Sequence, residues 1–194
     1  MIRYHLILLI ILLFLSGCAQ KISPPNELNT QWQSQLAAAR TFSVNGKIVF
    51  ISTEKRQSAT LNWRSDDAQT KLNLSSFIGT NILSMAQDAN GVSIEIDGET
   101  YQGDNAQQLI YRLTGFNLPF VNGDDWLKGL SNSNSAQYDT ENRLLSTTLF
   151  DSYQSPWQLA YDNYKQQDGY WLPYSIRLSN NNLTIKLRVN SWQF

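Results

Sequence analysis

The chain holds one cysteine, one histidine and two methionines in 194 residues. Each scarcity removes a class of chemistry. Cys18 alone allows no internal disulfide and no cysteine cage for a metal. His5 alone stands just ahead of an N-terminal apolar run, so the rest of the chain lacks an imidazole for a Ser–His relay or for zinc. No glycine-rich phosphate loop opens a helix. Adjacent carboxylates occur at Asp66–Asp67 and Asp124–Asp125. Such pairs can cleave glycosides when they flank a sugar, but these fall in a turn and at a helix start, where solvation or capping accounts for them. No catalytic residue, metal or soluble cofactor is expected, and the chain reads as a non-enzyme. With 15 basic and 16 acidic residues the net charge is −1. No strongly basic face is evident from the sequence, which argues against a nucleic-acid partner.

What is present begins with Arg3 and the uncharged "LILLIILLFL", Leu6 to Leu15. That length suits a signal-peptide core and falls short of the roughly 20 residues a bilayer span needs. Residues 1–17 are expected to be removed. Residues 18–28, polar and carrying Pro24 and Pro25, read as a tether with an r.m.s. reach of roughly 18 Å. Residues 29–194 form one domain large enough for its own core.

Within it, "TQWQSQLAAAR" is expected to be a helix capped by Thr30, with Trp32, Leu36 and Ala39 on one face. From Thr41 the period becomes two. Phe42, Val44, Ile48 and Phe50 share a parity that Gly46 interrupts, and Ala59, Leu61 and Trp63 alternate with polar residues. Further strands are expected at "TKLNL", "NILSMAQ", "GVSIEI", "SAQYDT", "RLLSTTLF", "WQLAYDNY", "YWLPYSIRLS" and "LTIKLRVNSW". Between them lies a helix with Asp104 as N-cap, Gln107 in the capping-box position and Gly115 as its stop. A short turn, "GDDWLKG", follows and buries Trp126 and Leu127. The pattern predicts a mostly β protein with some α: about ten or eleven antiparallel strands in a curved, half-open barrel under a helical lid. The aromatic residues then either fill a core or line a hollow. Lys186, Arg188 and Asn190 share one face of the last strand, as a solvated row or as a docking patch for an acidic partner.

One turn resists this reading. "SSFIGTN", residues 75–81, has turn composition with Phe77 and Ile78 at its tip. The pair either folds back onto the sheet or stands in solvent.

Two resemblances bear on these residues. "LSGC", Leu15 to Cys18, resembles a bacterial lipobox. This implies that Cys18 carries covalent lipid as the new N-terminus, and the absence of Asp after it implies the outer membrane, facing the periplasm. "NGKIVF", "SATLNW", "LNLSSFIGTNIL" and "YQGDNAQQLIYRLTGFNLPF", followed by the last three strands in order, resemble the LolB family of outer-membrane lipoproteins over residues 30–193. The resemblance implies an unclosed antiparallel β-barrel with an α-helical lid over an apolar cavity. It implies a monomer that accepts acylated lipoproteins from a soluble, LolA-like periplasmic carrier and inserts them into the inner leaflet of the outer membrane. Ile48, Phe50, Leu61 and Trp63 are the expected cavity wall. In the family, the matching hairpin bears a protruding leucine in a Pro-Leu-Gly turn, needed for insertion. Here Phe77 and Ile78 replace Pro-Leu and Gly79 is retained. The alternatives are a structural envelope-assembly lipoprotein, with a filled interior and a polar hairpin, and a closed barrel for a small apolar metabolite.

Overall fold

The computed structural model describes residues 31–116, 118–119, 123–151 and 153–194. The expected signal peptide, Cys18, the tether and the Thr30 cap lie outside those residues. Helix α1 spans Gln31–Ala38, α2 Ala106–Thr114 and α3 Gly123–Lys128. The strands are β1 (Phe42–Ser52), β2 (Arg56–Ser65), β3 (Gln69–Ser75), β4 (Asn81–Asp88), β5 (Gly91–Ile96), β6 (Glu99–Gly103), β7 (Gln137–Tyr138), β8 (Leu144–Phe150), β9 (Pro156–Gln167), β10 (Tyr170–Ser179) and β11 (Leu183–Gln193).

All eleven form one sheet in the order β6-β5-β4-β3-β2-β1-β11-β10-β9-β8-β7. It is two antiparallel meanders joined where the first strand meets the last. The chain alternation of apolar and polar residues explains it. Leu61, Trp63, Leu72, Leu74, Ile185 and Leu187 are buried inward, while their neighbours Thr60, Arg64, Lys71, Lys186 and Arg188 face outward. The edges β6 and β7 do not pair, so the barrel is unclosed. The connection between them carries α2 and α3. Helix α2 packs on β5 and β6, and α1 and α3 pack on β10. Across the gap, Tyr111 of α2 meets Tyr153 of the β8–β9 turn, with ring centroids 5.8 Å apart.

The β1–β11 seam contains a register shift at Asn45/Gly46. A Cβ at Gly46 would lie 2.6 Å from the Arg188 carbonyl oxygen and 3.2 Å from the Val189 Cα. Backbone occupies that space, so only glycine fits. Gly46→Ala is expected to lower unfolding free energy by about 1–3 kcal/mol, read as a reduced midpoint in urea.

Three local expectations are corrected. The N-cap of α2 is Asn105, not Asp104: its side chain accepts the Gln108 N–H, and Gln107 turns into the core. Both residues are good caps, and the helix begins where Ala106, Leu109 and Ile110 can all pack inward. "GDDWLKG" is a short helix rather than a turn, and it does bury Trp126 and Leu127. "SAQYDT" keeps only two strand residues, because Asp139 closes the following turn by accepting the N–H groups of Glu141 and Arg143. Gly115 ends α2 in the left-handed region, as expected.

Lid and sheet are fastened by polar groups. The Asp124 carboxylate accepts from the Trp63 indole at 3.2 Å and the Ser65 hydroxyl at 2.7 Å. Buried Lys128 donates to the Leu36 and Ala39 carbonyls, closing the C-terminal end of α1. Tyr161 donates to the Trp126 carbonyl and Tyr164 to that of Leu144.

Burial pushes the Tyr161 and Tyr164 hydroxyls above the ordinary tyrosine value of 10.0. The folded protein therefore holds these protons where an unfolded chain would release them. Their contribution to stability is complete below pH 10 and is lost as pH rises from there toward the folded values. Lys128, lowered by desolvation, acts oppositely: its burial becomes less unfavourable as pH approaches 10.5. Two tyrosines outweigh one lysine, so the thermal midpoint should fall steeply above pH 10. Tyr164→Phe should shallow that fall.

Candidate functional site

Between lid and sheet lies a cavity of about 870 Å³. Ile48 and Phe50 of β1 and Leu61 and Trp63 of β2 all line it. The wall continues through Leu72 and Leu74 of β3, then Leu178, Ile185 and Leu187 of β10 and β11. Ile110 and Leu113 of α2, Phe116 and Leu118 beyond it, and Trp126 and Leu127 of α3 form the roof. Trp63 and Trp126 meet edge to face at 6.4 Å, joining floor to roof. Sequence parity identifies an inward face but not a void. Phe42 and Val44 share parity with Ile48 and Phe50 yet are fully buried, while the latter two are half-buried and border open space.

Among the described lining residues, charge is confined to the mouth. Glu54 and Lys55 of the β1–β2 turn and Asp97 of the β5–β6 turn rim the cavity, with Asn182 of the β10–β11 turn. Strand alternation puts these turns at one end of the barrel, and the β3–β4 turn is at that same end. No other charged residue is among the described lining residues. This arrangement disfavours polar or charged groups in the interior and suits apolar ones.

The β3–β4 turn carries the apolar pair. Phe77 is 96% exposed and Ile78 72%. They occupy the two central positions of a turn closed by the Gly79 N–H to the Ser76 carbonyl, at 3.0 Å. The Ser76 N–H donates to the Thr80 carbonyl, and the Thr80 N–H to the Ser76 hydroxyl. Gly79 sits at φ 87°, with nothing within 4 Å of a notional Cβ. Backbone handedness alone calls for glycine there, as in hairpin loops closed through a left-handed residue. Three hydrogen bonds thus hold two large apolar side chains away from the sheet. Ile82, at the start of β4, is itself exposed and borders the cavity. It links the turn to the mouth.

An unclosed antiparallel barrel, a helical lid and an apolar hollow define the class: a half-open β-barrel built around an apolar cavity. Solved structures agree on the fold. A LolA superfamily protein from Nitrosomonas europaea superimposes with a TM-score of 0.55 at 10% identity, covering 84% of this chain and 93% of that one. A DUF1329 family protein from Desulfovibrio piger gives 0.56 at 7%, covering 89% and 94%.

The family is fixed by sequence. The family model for outer membrane lipoprotein LolB matches residues 40–192. The outer-membrane lipoprotein LolB of Pseudoalteromonas translucida is 42% identical over 194 residues, all of this chain and 96% of that one. That of Psychromonas ingrahamii is 34% identical over 188 residues, covering 95% and 93%. The chain belongs to the LolB family.

Proposed function

We propose that this protein is an outer-membrane lipoprotein, lipidated on Cys18 and facing the periplasm, that receives other lipoproteins and passes them into the membrane. The observation that carries the reading is a turn rigidly exposing Phe77 and Ile78 at the mouth end of an apolar cavity. A soluble LolA-like carrier brings the cargo, and the cavity takes its acyl chains. Three chains of about fifteen methylenes, at ~0.8 kcal/mol each, amount to several tens of kcal/mol of gross burial. Such an anchor cannot cross water bare and moves only between apolar sites. Ile48, Phe50, Leu61 and Trp63 serve as wall. Phe77 and Ile78, on the turn set by Gly79, enter the leaflet and give the chains a path out. No bond is made or broken in the cargo, so no catalytic group is required. A filled interior and a polar hairpin, the marks of a purely structural lipoprotein, are both lacking here.

The test is transfer of a labelled lipoprotein from the carrier to the purified protein and on to vesicles. The mature chain with Cys18→Ala should stay in solution and still take cargo, within about threefold of the wild-type rate, because domain and anchor are joined only by the tether. Failure to accept cargo would overturn the reading of an autonomous receptor.

A further inference from the structure

We propose that the outward face of strands β3, β2, β1, β11 and β10 docks on the anionic phospholipid surface of the membrane. These five strands are consecutive in the sheet. They contain Lys47, Arg56, Arg64, Lys71, Arg177, Lys186 and Arg188, and no Asp or Glu. All seven cations are exposed, on the side away from the cavity. The whole chain carries a net charge of −1, so this is a segregation of charge and not an excess. The sequence hides it: the row on β11 is visible, but pairing with β1 and β10 is what completes the field.

The pairing also places like charges opposite one another. Arg64 faces Lys71, Lys47 faces Arg188, and Arg177 faces Lys186. Directly opposed like charges destabilise a sheet, and none of the seven forms an ion pair; the pairs among the described residues are those of Arg143. Nearby acids lie in the bounding turns, at Glu54 and at Asp66–Asp67, and on the flanking strands, at Asp88 of β4 and Asp162 of β9. A face that opposes its own fold three times points outward to an anionic partner.

The spacing favours a bilayer over a protein. Five strands spread the cations over a width of roughly 19 Å. On β1, β2 and β11 the outward positions between them are Ser, Thr and Asn, with Val49 and Ile51, and no aromatic anchor of the kind that centres a protein interface. Dispersed Lys and Arg are what a fluid anionic surface attracts, each strengthening binding about fivefold. The face is also continuous with the apolar turn, because β3 leads directly into Ser76–Gly79. A leaflet that accepts Phe77 and Ile78 thus meets the cations beside them. The choice of a membrane rests on the delivery reading above, and the experiment separates the two.

The mature Cys18→Ala chain is sedimented with vesicles of phosphatidylcholine, or of phosphatidylcholine with about one-third phosphatidylglycerol. Binding should favour the anionic vesicles and fade between about 50 and 300 mM salt. Lys186→Gln with Arg188→Gln should weaken anionic binding about 20-fold. Arg112→Gln with Lys165→Gln, the same charge change off the face, should weaken it less than about threefold. The first double should melt at or above the parent temperature because it removes opposed charges, and the second within a few degrees of it because both side chains are exposed. Ile78→Glu should keep the anionic preference while losing cargo delivery, so the two readings fail independently. Equal losses in the two doubles, or no response to phosphatidylglycerol, would overturn the proposal. Binding to polyglutamate, measured in parallel and lost in Lys186→Gln with Arg188→Gln while vesicle binding is unchanged, would also overturn it and assign the face to an acidic protein.

Discussion

Ile78→Glu should slow delivery of lipoproteins to vesicles by at least ~20-fold while leaving stability and uptake from the carrier within about twofold. The side chain is largely exposed, so the folded protein loses little. In the leaflet the balance differs. Burying Ile78 contributes about 1.5–3 kcal/mol, and a carboxylate in its place must enter an apolar layer or hold the turn out of it. Each 1.4 kcal/mol is about tenfold, which sets the expected size. Phe77→Ser should give a smaller defect of the same kind, and the double change Phe77→Ser with Ile78→Glu should exceed either. Gly79→Val tests the scaffold separately: it leaves the apolar tip but strains a φ of 87°. Normal delivery by Ile78→Glu would remove the turn from the mechanism.

The second large effect belongs to the cavity wall. Phe50→Glu should reduce retention of acylated cargo at least ~50-fold, measured by gel filtration of the loaded protein or displacement of a fluorescent fatty acid. Phe50 is half-buried, borders the void near the mouth and pairs across the sheet with Gln57. A carboxylate there can reach water in the empty protein, so the thermal midpoint should move little. When alkyl chains fill the space the same charge is stranded, a penalty of several kcal/mol. Phe50→Leu should be nearly silent. Unchanged cargo retention in Phe50→Glu, with the fold intact, would show that the acyl chains lie elsewhere.

Much of this architecture is legible in the chain. Period-two alternation located the strands, and an apolar pair in a turn-forming heptapeptide marked the tip. What eluded the sequence was set by distant partners. Asp104 and Asn105 are equivalent caps on paper, and only the packing of Leu109 and Ile110 on the sheet chooses between them. Whether an inward residue fills or borders space depends on what faces it. Val44 is wholly buried and Phe50, six residues on, faces the hollow. Leu178 and Ile185 are cavity wall for the same reason, with no local mark to distinguish them from Leu159 or Ile176. The cationic face arises from the meeting of the first and last strands, a contact spanning nearly the whole domain.

The two free margins of the sheet set how wide the bore can become. At the ~30 Å³ a water takes in the liquid, 870 Å³ has room for roughly thirty methylene-sized units, nearer two fatty tails than three. A third tail would either widen the vessel or extend from its mouth. In a sealed cylinder dilation would tear rungs from the ladder. Here β6 and β7 share no rungs, and the breach is crossed by helix packing and by the tilted ring contact of Tyr111 with Tyr153. Those contacts carry no ladder hydrogen bonds, so the free margins are where widening for anchors of unequal girth is expected.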